Sequence, residues 1–164
     1  MLYGSNSTEV KSFFENLNVK GRDASWFDLS GKNIVGWSII PNIACSAMQD
    51  FGDDVRIITR CYIQPQYRTK GLQHDLNAES TYVFTMIKEQ LHYAMEFGFN
   101  NAFISTEGNR RAVIKRHARI AKEKYNLNCE LLEGKYRTCE GPNCIQNIGL
   151  YKLTENEFGL PKVE

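Results

Sequence analysis

The sequence predicts a single α/β domain built on a mixed sheet. Three observations carry this expectation. Residues 55–97 read as a strand, a loop and a long helix. Residues 102–124 follow the same strand-to-helix order. The regions on either side read as short strands joined by Gly, Asn and Pro turns.

The chain of 164 residues is long enough for one domain with a full core, and we read it as one unit over residues 1–164. It carries no internal repeat, low-complexity segment or interdomain linker. It is 42% hydrophobic and 24% charged with a net charge of +1, so the protein as a whole is not a polyanion binder, although one segment could be. No apolar run approaches membrane-spanning length, and the N-terminus lacks a signal-peptide apolar region. The expected compartment is therefore cytoplasmic. The cysteines Cys45, Cys61, Cys129, Cys139 and Cys144 are odd in number, which predicts free thiols in a reducing compartment. A zinc site would need two ligands beyond Cys139 and Cys144, and no second Cys/His pair has suitable spacing, so no metal is expected.

The elements follow in order. Val10, Phe13, Phe14 and Leu17 fall at helical spacing, which predicts a short amphipathic helix over 7–17, with Asn6 and Glu9 as a variant capping box. Residues 26–29 and 34–40 read as a β-hairpin, and Gly36 marks either a bulge or a close backbone approach. Residues 41–54 read as a connection. Val55, Ile57, Thr59, Cys61 and Ile63 alternate with Arg56, Ile58, Arg60, Tyr62 and Gln64, a strand pattern that Pro65 ends. A basic loop containing Gly71 comes next, of the kind that offers free N–H groups to a diphosphate. From about Glu79, Val83, Met86, Ile87, Leu91 and Ala94 form an apolar helical stripe, with His92 on the polar face and Gly98 as C-cap.

Residues 102–105 make the next strand, Thr106-Glu107-Gly108 breaks it, and Asn109 caps the following helix. That helix carries Arg110, Arg111, Lys115, Arg116, Arg119, Lys122 and Lys124 beside a narrow stripe of Ala112, Val113, Ile120 and Ala121. The basic face reads equally as a solvated surface or as attraction for a phosphorylated cofactor or nucleic acid. Two strands over 129–139 and 145–153 close the domain, and residues 154–164 read as a polar tail.

Tyr62-Ile63-Gln64-Pro65-Gln66-Tyr67-Arg68-Thr69-Lys70-Gly71, between a strand and a helix, resembles the cofactor motif of the GNAT superfamily of N-acetyltransferases. Asn109 and Ala112 match a second family motif at the start of the next helix. The hairpin ending in Ile34-Val35-Gly36-Trp37 is similar to the one preceding the cofactor strand. The resemblance covers roughly residues 26–153 and is to a divergent, phage-type member, which implies the host cytoplasm. It implies a GNAT-like fold, with a mostly antiparallel central sheet flanked by helices.

The resemblance implies acetyl-CoA as cofactor and transfer of its acetyl group to a primary amine, whether on a small molecule, a protein or a modified base. Backbone groups of Cys61, Tyr62 and Ile63 would pair with the pantetheine arm. Arg68, Thr69, Lys70, Gly71, Leu72 and Gln73 would hold the pyrophosphate, with Asn109 beside the pantetheine and Arg116 near a CoA phosphate. Glu107 is the first candidate for general base, and Arg60 for orienting the substrate. Gln73 stands where the family has a small residue, and the passage into the helix is longer than usual. Arg116 and His117 stand where the family's thiolate-protonating Tyr falls, so His117 becomes the candidate acid, against its reading as a solvated side chain. These departures motivate an alternative, a CoA-binding GNAT fold without efficient catalysis. A nucleic-acid-binding module using the basic helix over 109–124 is the third reading.

Overall fold

The computed structural model describes residues 1–15, 33–67, 81–139, 141 and 144–163. In chain order these form β1 (Leu2–Tyr3), α1 (Thr8–Glu15), β2 (Ile34–Ile40), β3 (Ala44–Phe51), β4 (Asp54–Ile63), a 3-10 turn (Pro65–Tyr67), α2 (Thr81–Glu96), β5 (Asn101–Glu107), α3 (Arg111–Tyr125), β6 (Glu130–Leu131), β7 (Lys135–Arg137), β8 (Ile145–Lys152) and β9 (Lys162–Val163). The strands join in the order β1-β2-β3-β4-β5-β8-β7-β9, with β6 also paired to β8. Every pairing is antiparallel except that of β4 with β5. The result is a mixed, mostly antiparallel sheet flanked by helices on both faces.

Helices α2 and α3 cover one face. Val83, Phe84, Met86 and Ile87 of α2 and Ile114, Ile120 and Ala121 of α3 share a core with Val55 and Ile57 of β4 and Ala102 and Ile104 of β5. The short α1 covers part of the other face through Val10 and Phe13, against Trp37, Cys45, Ala47 and Tyr62. A third cluster on that same face joins Phe103, Ile148 and Leu150 to Phe51, Leu132, Phe158 and Leu160. Gly36 fulfils both sequence readings. The β2–β3 register shifts between Ile34 and Gly36, and a Cβ at Gly36 would lie 2.6 Å from Leu2 Cγ. Gly98 takes φ +81 at the end of α2, the left-handed conformation its capping role needs.

Several expectations need correction. Residues 41–54 are a turn followed by the strand β3, not a connection; β3 is the hairpin partner of β2. The expected strand at 26–29 lies outside the described residues. Ser7, not Asn6, caps α1: its Oγ accepts the Val10 N–H at 3.2 Å. Asn109 does not cap α3; Arg110 occupies the N-cap position without a side-chain bond. The 154–163 segment is tied down. Asn101 Nδ2 donates to the Asn156 and Glu157 carbonyls, Gly159 N–H donates to Asp54 Oδ2 at 2.6 Å, and β9 pairs with β7. Cys139 and Cys144 are disulfide-bonded with Cα atoms 5.1 Å apart, while Cys45, Cys61 and Cys129 are free. That Cα separation lies within the range a disulfide spans.

Candidate functional site

Strands β4 and β5 are paired only through Asp54–Asn101, Val55–Ala102 and Arg56–Phe103. Beyond Arg56 they part. β4 continues to Ile63 held by β3 on its other side, and β5 continues to Glu107 held by β8. The two inner edges therefore open a wedge, and no described strand pairs with the β4 edge above Arg56. A strand edge of this kind presents N–H and C=O groups ready to bond an extended ligand.

The backbone of β4 bends away from β5 at the wedge. Ile58 and Arg60 take φ of 54° and 52°, and the register with β3 shifts at Ala47 on both sides. Bulges of this sort bend a strand away from its neighbour. They also break the simple alternation read from the sequence. Ile57 and Ile58 both enter the core beneath α2 and α3, and Thr59 comes to face Ala47. One buried side chain anchors the bend: Gln90 of α2 is fully enclosed. Its Oε1 accepts the Ile58 N–H at 2.8 Å, and its Nε2 donates to Ser46 Oγ at 2.9 Å and to the Ser46 carbonyl at 3.3 Å. Sequence reasoning missed Gln90, although its spacing from Ile87 and Ala94 puts it on the buried stripe of α2.

The expected site residues fall into four groups. Cys61, Tyr62 and Ile63 lie on the opened part of β4. The Tyr62 side chain is spent in packing beside Cys45 and Ala47, and burial pushes the Cys61 thiol up to about 12, so these positions offer backbone rather than side-chain chemistry. Arg60 is half-buried, and burial lowers its guanidinium somewhat. Glu107 ends β5, exposed at the rim of the wedge, where Asn147 Nδ2 fixes its carbonyl at 2.7 Å. Asn109 lies exposed in the turn after β5 and Arg116 exposed on α3. Arg68, Thr69, Lys70, Gly71, Leu72 and Gln73 lie outside the described residues.

His117 is a correction. It is not a solvated side chain on a basic face but fully buried, with its ring stacked on Phe84 at 5.1 Å between centroids. Its Nε2 lies 2.5 Å from the Tyr151 hydroxyl. Burial pulls the imidazole down to about 4, so at neutral pH it is uncharged and has no imidazolium proton to give a thiolate. Burial, with Cys129 adjacent, holds the Tyr151 phenol well above its ordinary range. His117, Tyr151 and Cys129 thus form a neutral polar cluster inside the core.

No family model matches the chain, and no curated protein matches it. A solved structure does share its fold. A protein from Lactobacillus plantarum, provisionally assigned as an N-acetyltransferase, aligns with a TM-score of 0.54 at 13% identity, over 93% of this chain and 96% of its own. A protein from Klebsiella pneumoniae subsp. pneumoniae MGH 78578, provisionally assigned as an acyl-CoA N-acyltransferase, aligns at 0.44 and 13% identity, over 93% of this chain and 95% of its own. The chain has the GNAT-type fold that its motifs resemble, in a form divergent in sequence.

Proposed function

We propose that the chain is an acetyl-CoA-dependent N-acetyltransferase acting on a primary amine. The observation that supports this most is the parting of β4 and β5 after three residue pairs, which leaves a kinked strand edge beside an open wedge. An extended, amide-bearing ligand arm fits such an edge as an added strand.

Acetyl-CoA supplies an activated thioester whose acetyl group the amine nitrogen accepts. The backbone of Cys61, Tyr62 and Ile63 holds the pantetheine arm. Arg68, Thr69, Lys70, Gly71, Leu72 and Gln73 would hold the pyrophosphate, with Asn109 and Arg116 flanking the cofactor. Glu107 takes the proton that the amine must lose, and Arg60 orients the acceptor. CoA leaves as its thiolate, which, with an ordinary thiol pKa of about 8.5, takes its proton from water without a dedicated acid.

The test is release of free CoA from acetyl-CoA across a panel of primary amines, including lysine peptides, polyamines and aminoglycosides. Amine-dependent release that falls roughly 10²–10⁴-fold in Glu107→Gln supports the assignment. Binding of acetyl-CoA with no release against any amine favours a CoA-binding protein without catalysis. The nucleic-acid reading draws less support, because the α3 cations are partly engaged. Arg111 donates to the Leu132 carbonyl, Lys122 to Asn128 Oδ1, and Arg119 pairs with Glu123.

A further inference from the structure

Arg56 is the last residue of β4 that pairs with β5, so it stands at the apex of the wedge. Its partner Phe103 packs with Ile148 and Leu150 on the sheet face away from α2 and α3, and residues in register on neighbouring strands send their side chains to the same face. Ser105, two residues along β5, faces the same way, and its Oγ is buried with no hydrogen-bond partner among the described residues. Glu107 follows on that face at the rim. Arg56 is half-buried and makes no ion pair with a described residue. Burial first, and the neighbouring charge of Arg60 second, push its guanidinium down to about 10, which leaves it charged at neutral pH.

A half-buried arginine that makes no ion pair with a described residue, on the same face as a buried hydroxyl without a partner at the head of a wedge, is a receptor for a carboxylate or phosphate, since guanidinium binds both through paired N–H bonds. We infer that the acceptor is an anionic amine, whose carboxylate or phosphate seats against Arg56 with Ser105 beside it, while its amino group reaches Glu107. Ser105 and Glu107 are two strand residues apart, roughly 7 Å, which suits a short amino acid or aminoalkyl phosphate. This inference rests on the acetyltransferase reading for the amine, and on Arg56 and Ser105 for the anion.

Calorimetric titration of the full chain in excess CoA tests it without turnover. The probes are phenylalanine against phenylalaninamide, and phosphoethanolamine against ethanolamine. The acid of at least one pair binds ten-fold or more tightly than its counterpart without the anionic group, and the preferred pair distinguishes carboxylate from phosphate. Arg56→Gln abolishes the preference, while Arg56→Lys, which keeps the charge, retains part of it and guards against a variant that simply misfolds. Equal binding within both pairs, absence of binding by both acids, or a preference that survives Arg56→Gln overturns the inference. CoA release with the same four probes separates the two readings. Anion preference without transfer removes the acetyltransferase and keeps the anion site; transfer without preference does the reverse.

Discussion

Gln90→Leu is the substitution from which the structure predicts the most. Leucine is close in volume, so the change removes hydrogen bonds without opening a large cavity. The Ile58 N–H then loses its 2.8 Å acceptor inside the core, and Ser46 loses the donor to its carbonyl and hydroxyl. A buried polar group left unpaired costs about 1–3 kcal/mol. The Ser46 hydroxyl keeps its contact with Met86 Sδ, so the Ile58 amide dominates, and the total comes to about 3 kcal/mol. For a domain of this size that is roughly 6–12 °C in melting temperature. Urea titration should show an earlier midpoint with an unchanged slope. Since Ile58 sits in the β4 kink, the same variant should bind acetyl-CoA more weakly. The exposed neighbour change Thr85→Ala should stay within about 0.5 kcal/mol of the parent. A Gln90→Leu protein as stable as the parent would show that the Gln90 bonds do not hold the bend in β4.

Three further outcomes follow from other parts of the core. His117 has a folded pKa of about 4, below its unfolded value, so the folded state binds fewer protons between the two. Its contribution is complete above the unfolded value of ~6.5 and is lost as pH falls toward 4, with a slope of at most about 1.4 kcal/mol per pH unit; His117→Gln should flatten stability measured by urea midpoint across that window. Asp54 accepts from Asn101 Nδ2 at 3.0 Å and from the Gly159 N–H, so Asp54→Ala should cost about 2–4 kcal/mol and release residues 154–163 to limited proteolysis. Burial pushes the thiols of Cys61 and Cys129 up to about 12 and that of Cys45 well above its ordinary value, so iodoacetamide should label the native protein slowly. Denaturation should expose three thiols, and reduction two more; rapid native labelling of Cys61 would contradict its packing.

The strands and helices that keep a solvent-facing side were legible in the sequence. The pattern located β2, the body of β4, the clear part of α2, and α3. What failed was β3, and the reason is visible in its residues. Ala44, Cys45, Ser46, Ala47 and Met48 are all buried, because α2 covers one face of the strand and α1 the other. A strand enclosed on both faces has no polar alternation, and small side chains carry little β signal. The C-terminal segment misled for the opposite reason. Its side chains are polar, yet its backbone and Asn156, Gly159 and Lys162 are bonded to Asn100, Asp54 and β7.

Within the site, the motif around Tyr62 and Pro65 lies on the strand whose edge the structure leaves open, but the kink at Ile58 and Arg60 left no trace in residue type. Bulges arise from pairing, and pairing with β3 was not foreseen. His117 was recoverable: it sits four residues after Val113 and three before Ile120, on the stripe that faces the sheet. Its charge-bearing neighbours Lys115, Arg116 and Arg119 obscured that position. Arg56 was read only as one member of an alternating strand. Its meaning depends on β5 parting from β4 immediately beyond it, a tertiary fact.

The central claim is that the β4 edge above Arg56 receives the pantetheine arm of acetyl-CoA. Hydrogen exchange of the backbone amides, measured with and without acetyl-CoA, tests it directly. The account predicts slowed exchange in β4 between Thr59 and Ile63 on adding acetyl-CoA, with the β8 amides opposite β5 unchanged. Unaltered exchange along β4 at concentrations that saturate binding, or no binding at all, would contradict it.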